Sequence, residues 1–244
     1  MYKPDFPCNK LWGQIRYLLT CTRLEIYFTG YILSRALQSP HKVHKLAAKC
    51  TLRYLSLTED YGLLYYYDPV SPIAITGYPD ADWASMDPTM HSTTGYVFLL
   101  AGGAISWQTK RQVYVAVVGS TTEAEYVAIS LASREALWLS HLLHELHIPY
   151  PISSDPLTLY ADNQSAIALA EAPRLSSKTK HICISYHFVK ELVIHGFLQL
   201  TYVHTSENLV DMLTKSVPTV KLAASCLGVG HLLSTCFLLR VILP

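Results

Sequence analysis

No two cysteines of this 244-residue chain form a C-x-x-C pair; the six, at Cys8, Cys21, Cys50, Cys183, Cys226 and Cys236, are dispersed. That spacing excludes a zinc ribbon and a secreted disulfide framework, and a reducing intracellular compartment is the simplest setting for it. An excess of one charge is lacking too: nineteen Lys plus Arg offset eighteen Asp plus Glu, for a net charge of +1. No large field draws the chain onto nucleic acid, so binding of that kind must rest on local geometry. The start, Met1-Tyr2-Lys3-Pro4-Asp5, has no basic segment followed by an apolar core, and Pro7 interrupts it, so nothing there directs export. Internal repeats and low-complexity tracts are absent.

What is present is an order of elements. From Leu11 to Tyr67 apolar residues recur at helical spacing, through Ile26, Tyr27, Tyr31 and Leu33 and again through Leu46, Ala47, Leu52 and Leu55, with Pro40 between two helices. Pro69 and Pro72 break this pattern and place a domain boundary near residue 70. Ile73 to Asp80 reads as a strand, and Thr94 to Leu100 meets Ala104 to Gln108 in a hairpin across Gly102-Gly103. A long helix follows, with Ser120 and Glu123 in capping-box positions and periodicity to about Leu146. Leu157 to Ala161 is a short buried strand, Asn163 to Leu169 a helical turn or two, and Ser185 to His195 a helix ended by Gly196. Leu198 to His204 is a last strand, and Ser206 is placed to cap a final helix. This order predicts an α/β fold: a mixed sheet with an antiparallel start and parallel crossovers, flanked by helices.

Four acids stand where solvated charge is not expected. Asp80 ends the first strand and Asp162 the fourth, and parallel neighbours bring such ends to one edge, where ligand sites in open sheets lie. On the long helix Ala128, Ile129, Ala132, Ala136, Leu139 and Leu143 share a face with Glu125, so Glu125 begins the buried stripe. Glu123 is roughly 200° round the helix, and is assigned to capping. Asp211 lies among apolar neighbours in Leu209-Val210-Asp211-Met212-Leu213, and burying it requires a cation or a donor. Four converging carboxylates with no matching Arg or Lys cluster imply a hard divalent ion, magnesium or manganese. Two such ions about 4 Å apart activate a water and steady a leaving oxygen in phosphodiester hydrolysis.

The segments Gly77-Tyr78-Pro79-Asp80-Ala81-Asp82-Trp83-Ala84, Ser92-Thr93-Thr94-Gly95-Tyr96-Val97-Phe98, Ser120-Thr121-Thr122-Glu123-Ala124-Glu125-Tyr126, Asp162-Asn163-Gln164-Ser165-Ala166-Ile167 and Asn208-Leu209-Val210-Asp211-Met212-Leu213-Thr214-Lys215 resemble, in order and spacing, the signatures of copia-type retrotransposon ribonuclease H. Lys180-His181-Ile182 through Tyr186-His187-Phe188 adds a sixth. The resemblance implies a ribonuclease H-like mixed five-stranded sheet, cleavage of the RNA strand of RNA–DNA hybrids, and a site of Asp80, Glu125, Asp162 and Asp211 holding two Mg2+ or Mn2+ ions. It prefers Asp80 over Asp82, since the third position of Asp-Ala-Asp resembles the small polar residue after the catalytic acid in related enzymes. Leu11-Trp12-Gly13, Thr22-Arg23-Leu24-Glu25-Ile26, Leu33-Ser34-Arg35, Pro40, His44 and Arg53-Tyr54-Leu55 resemble the segment that connects reverse transcriptase to ribonuclease H. Residues 1–70 are therefore expected to be that connection, 71–217 the ribonuclease H domain and 218–244 a tail. The implied partners are an RNA–DNA hybrid and the reverse transcriptase of the same polyprotein, in a cytoplasmic virus-like particle or the nucleus. No Tyr-x-Asp-Asp polymerase signature is present, so the chain is not expected to copy nucleic acid.

Departures from the family pattern include lost cations. Arg23-Leu24-Glu25 stands for Arg-Pro-Asp, Met90-His91 for a basic pair, and Cys183 and Ser185 for an Asp and an Arg, which weakens phosphate contacts and leaves a non-catalytic remnant as the alternative. Phosphate contacts are expected from Lys110, Arg111, Asn163, Lys178 and Lys180, and His204 is an accessory candidate for proton transfer or product release. The tail is apolar from Leu222 to Leu239, just short of the roughly 20 residues that span a bilayer. Packing on the domain, or disorder, is expected there rather than a membrane anchor.

Overall fold

A computed structural model describes residues 8–66, 74–83, 91–112, 121–148, 156–172 and 183–233. Helices α1 (Cys8–Cys21), α2 (Tyr27–Arg35) and α3 (Lys42–Leu57) open the chain, with a 3-10 turn, Leu24–Ile26, between the first two. They close around Ile15, Leu19, Ile26, Leu33 and Ala48. The helical pattern read from Leu11 to Tyr67 stops at Leu57, and Tyr61–Leu63 is instead a strand, β1. Its partner is β7 (His231–Leu233), antiparallel, with Tyr61 opposite Leu233. Pairing at such sequence distance leaves no local signature.

The main sheet contains β2 (Thr76–Asp82), β3 (Thr93–Leu100), β4 (Gly103–Arg111), β5 (Leu157–Ala161) and β6 (Leu198–Tyr202) in the order β4-β3-β2-β5-β6. The first three are antiparallel, while β2, β5 and β6 run parallel. This is the mixed five-stranded sheet with flanking helices that the sequence predicts. The hairpin turn is one residue earlier than expected: Ala101 and Gly102 take positive φ of 50° and 76°, as a two-residue primed turn requires. Ser120 lies outside the described residues, so its capping box does too. Strand β5 is apolar at every second position, and Leu157, Leu159 and Ala161 are buried accordingly.

Strand β3 is buried along almost its whole length because both faces of the sheet are covered. Tyr96 and Phe98 face a core shared with α4 (Thr121–Glu145), α5 (Gln164–Glu171) and α6 (Cys183–Ile194), through Tyr126, Ile129, Ala170, Tyr186 and Val189. Val97 and Leu99 face the other way, onto Leu24, Met212, Leu213, Cys226 and Val229. That second layer comes from the 3-10 turn at Leu24, the short α7 (Asp211–Thr214) and α8 (Thr219–Gly228). Each large side chain fully buried in these layers contributes about 1.5–3 kcal/mol.

Ser206 does not cap a final helix. It lies inside a 3-10 turn, Thr205–Glu207, whose N-cap is His204, and α7 begins only at Asp211. The described part of the apolar tail forms α8 and β7, and no described helix is long and apolar enough to cross a membrane.

Candidate active site

The parallel register of β2 and β5 pairs Thr76 with Thr158 and Gly77 with Leu159. Carried along, the same offset sets Asp80 level with Asp162, which follows the last residue of β5. Asp80 lies two residues inside the end of β2 rather than at it, and Asp82 is the strand's last residue. Helix α4 packs across β2 with the predicted stripe inward: Ala128, Ile129, Ala132, Ala136, Leu139 and Leu143 are all buried. Glu125 is thereby turned onto β2, where its Oε2 accepts a hydrogen bond from the Ala81 amide at 3.1 Å. Asp80, Glu125 and Asp162 each offer an oxygen within 4.8 Å of the others.

Asp211, fully buried, stands at the start of α7, and Thr109 Oγ donates to the Leu213 carbonyl at 2.9 Å, tying that helix to β4. Thr214 Oγ, from the same helix, donates to Asp80 Oδ2. Lys215 Nζ lies 2.8 Å from Asp211 Oδ1 and 3.8 Å from Asp80 Oδ2, and Lys221 Nζ contacts Asp211 Oδ2. Lys215's contact is an ion pair rather than an aligned hydrogen bond, since Oδ1 has no hydrogen-bond partner of good geometry. The expectation that no lysine matches the four carboxylates is therefore corrected. Lys215 is four residues past Asp211, a spacing that brings charges together on a helix and was legible in the sequence. Lys221 comes from the next helix and carried no such signal.

Electrostatics at this edge are strained in one direction. Burial pushes the Asp80 carboxyl up to about 6; the Asp211 and Asp162 charges add to the shift, while Lys215 and the Thr214 hydroxyl oppose it. Burial also pushes Glu125 up to about 9, with Asp80 and Asp162 repelling its charge and the Ala81 amide and Lys215 working against them. Burial disfavours the Lys215 charge, but Asp80 and Asp211 outweigh it and raise Lys215 to about 12. Three clustered carboxylates, with Asp80 and Glu125 disfavoured as bare charges, fit a divalent cation, which offsets that penalty.

The other predicted residues are dispersed. His204 is exposed; its Nδ1 accepts from the Ser206 amide at 3.2 Å and bonds Ser206 Oγ at 2.8 Å, so one ring nitrogen is spent on the turn. Asn163 Oδ1 accepts from the Ala166 amide at 3.0 Å and caps α5. Lys110 is exposed and Arg111 half-buried at the end of β4. Lys178 and Lys180 lie outside the described residues. The sequence does not single out Thr214, because a hydroxyl in a short helix gives no sign of its distant acceptor.

No protein-family model matches the chain. Over 215 residues the chain is 40% identical to the retrovirus-related Pol polyprotein from transposon TNT 1-94 of Nicotiana tabacum, covering 88% of this chain and 16% of that one. Over 208 residues it is 36% identical to the retrovirus-related Pol polyprotein from transposon RE2 of Arabidopsis thaliana, covering 85% of this chain and 14% of that one. The chain thus spans about a sixth of the length of these curated relatives. Among solved structures, RNase H1 from the archaeon Halobacterium salinarum aligns with a TM-score of 0.40 and 17% identity, covering 57% of this chain and 93% of that one.

Proposed function

The chain belongs to the Pol polyproteins of copia-type retrotransposons, and on that premise we propose that it hydrolyses the RNA strand of RNA–DNA hybrids internally, as their ribonuclease H portion. The observation that carries this reading is the meeting of Asp80 on β2, Asp162 just past the parallel strand β5, and Glu125 on α4. In this reading residues 71–217 are the ribonuclease H domain, 1–70 the connection that follows reverse transcriptase, and 218–244 a tail. The hybrid and the polymerase portion of the same polyprotein are its partners, in a cytoplasmic particle or the nucleus.

Asp80, Glu125, Asp162 and Asp211 are the residues that would hold two divalent ions, Mg2+ or Mn2+. When bound, such ions lower the pKa of an attacking water and offset charge on the leaving 3′ oxygen. The chain's own part is positional. The Ala81 amide fixes Glu125 against the strand that carries Asp80, and Thr214 fixes Asp80 from the opposite side. Hydrolysis leaves a 5′ phosphate and a 3′ hydroxyl. Lys110, Arg111, Asn163, Lys178 and Lys180 are the proposed phosphate contacts, with His204 as accessory.

Incubating the purified chain with a labelled hybrid and Mg2+ or Mn2+ tests the reading. Cleavage by the wild type that is lost in Asp162→Asn supports it, and equal cleavage by the two proteins overturns it. One observation favours a second reading, a remnant that binds hybrid or a protein partner without cutting: both oxygens of Asp211 face lysines. Hybrid retained on a filter with no cleavage at any metal concentration supports that alternative.

A further inference from the structure

Lys221 lies outside every motif that carries the family resemblance, yet it reaches the fourth carboxylate from α8. Its Nζ contacts Asp211 Oδ2 and donates to the Thr205 carbonyl at 2.6 Å, which pins α8 to the turn before α7. Lys215 holds the other oxygen, Oδ1, at 2.8 Å. Each Asp211 oxygen therefore has an ammonium group beside it, whereas Asp80, Glu125 and Asp162 bring their oxygens within 4.8 Å of one another. Ionised, the four carboxylates and two ammonium groups leave two negative charges, the complement of one divalent ion. Without the Lys221 charge there are three, and Asp211 Oδ2 is open.

The two lysines differ in how readily they withdraw. Lys215 is tied to Asp211 by the single helical turn between them, and its ammonium also approaches Asp80. Lys221 arrives on a flexible four-carbon stem from a separate helix, with its side chain 21% exposed, and an ammonium is strongly hydrated once it swings outward. Its contact with Asp211 is thus a partly buried pair that a doubly charged ion competes with directly.

We propose that Lys221 is a tethered competitor for the second cation of the site: it holds Asp211 while one divalent ion sits among Asp80, Glu125 and Asp162, and it must leave before Asp211 accepts another. The inference rests on the ribonuclease reading for the use of metal at this edge. It makes α8 a control element, because lifting that helix from the Thr205 turn removes the competitor without altering any carboxylate.

Mn2+ binding to the full chain, followed by calorimetry and by the loss of the free-ion paramagnetic resonance signal, tests this without reference to cleavage. The wild type is expected to bind one ion tightly and a second weakly. Lys221→Met and Lys221→Gln are expected to tighten the second roughly tenfold while the first is unchanged, and Lys221→Arg to behave as the wild type. Circular dichroism identifies any variant that fails to fold, and the two neutral variants provide independent tests. A tight first ion with a second that does not respond in either neutral variant overturns the competitor and leaves the ribonuclease reading standing. No bound ion in any of the proteins overturns both.

Discussion

Asp80 and Thr214 are 134 residues apart in the chain and share a buried hydrogen bond in which the Thr214 hydroxyl donates to Asp80 Oδ2. A donor to an ionised carboxylate lowers its pKa, and this one opposes the burial that pushes Asp80 up to about 6. Thr214→Val keeps the shape and removes the donor. The acidic limb of the cleavage profile is expected to move to higher pH and the rate at neutral pH to fall roughly tenfold, with Thr214→Ser restoring both. A pH–rate profile of the three proteins checks this; a valine variant that tracks the wild type removes Thr214 from the site.

Gly95 stands opposite Asp80 in the β2–β3 register, and a Cβ there would come within 2.5 Å of Thr214 Cγ2. Thr214 is held to Asp80 on one side and cannot withdraw without loosening it. Gly95→Ala is therefore expected to destabilise the fold by about 1–3 kcal/mol and to lower cleavage in the same sense as Thr214→Val. Urea unfolding alongside the cleavage assay measures both, and an alanine variant of unchanged stability and rate would mean that the strand yields freely.

Folded-state values of about 6 for Asp80 and about 9 for Glu125 stand above the ordinary 3.8 and 4.5, so the folded chain keeps protons that the unfolded chain has already released. The stability linked to these groups is complete below about pH 4 and falls as pH rises, through about 6 for Asp80 and about 9 for Glu125. Metal-free Tm is expected to drop between about pH 5 and pH 9. Glu125→Gln should flatten much of that slope, and Mg2+ at about pH 8 should raise the Tm of the wild type more than that of the variant. Calorimetric scans across pH decide; a level wild-type profile contradicts the burial of these charges.

Local rules carried the sequence reading as far as local rules reach. The apolar stripe from Ala128 to Leu143 fixes one face of α4 and with it the rotation of Glu125, so the choice over Glu123 follows from helical periodicity alone. Strand β5 alternates cleanly, and Asp162 at its end follows. What was illegible depends on residues distant in sequence. Nothing near Tyr61 announces its pairing with Leu233, and nothing near Lys221 announces Asp211. Asn163 reads equally as a phosphate contact and as a helix cap, and only the Ala166 amide at 3.0 Å shows the cap.

Among the described residues Arg23 and Glu25 form another buried charge cluster, near β1 and β7. Arg23 Nε lies 2.7 Å from Glu25 Oε1, and its Nη1 donates to the Thr58 carbonyl at 3.0 Å. His231 Nε2 lies 3.3 Å from Glu25 Oε2, but burial and the Arg23 charge lower His231 to about 4, so this contact is not an ion pair at neutral pH. Arg23 is thus the cation that balances Glu25, whose own pKa burial raises. Arg23→Met leaves a buried carboxylate uncompensated and is expected to cost about 3–5 kcal/mol, whereas Arg23→Met with Glu25→Leu should recover most of it. Because His231 belongs to β7 and Tyr61 to β1, amide exchange in both strands should rise together in the single variant. His231 adds an acid limit: its folded value lies below the ordinary 6.5, so its contribution is present above about pH 6.5 and lost as pH falls through about 4. Denaturant unfolding with hydrogen exchange measures the cycle, and a double variant as unstable as the single would show that Arg23 acts through its packing against Tyr54 and Tyr61 rather than through Glu25.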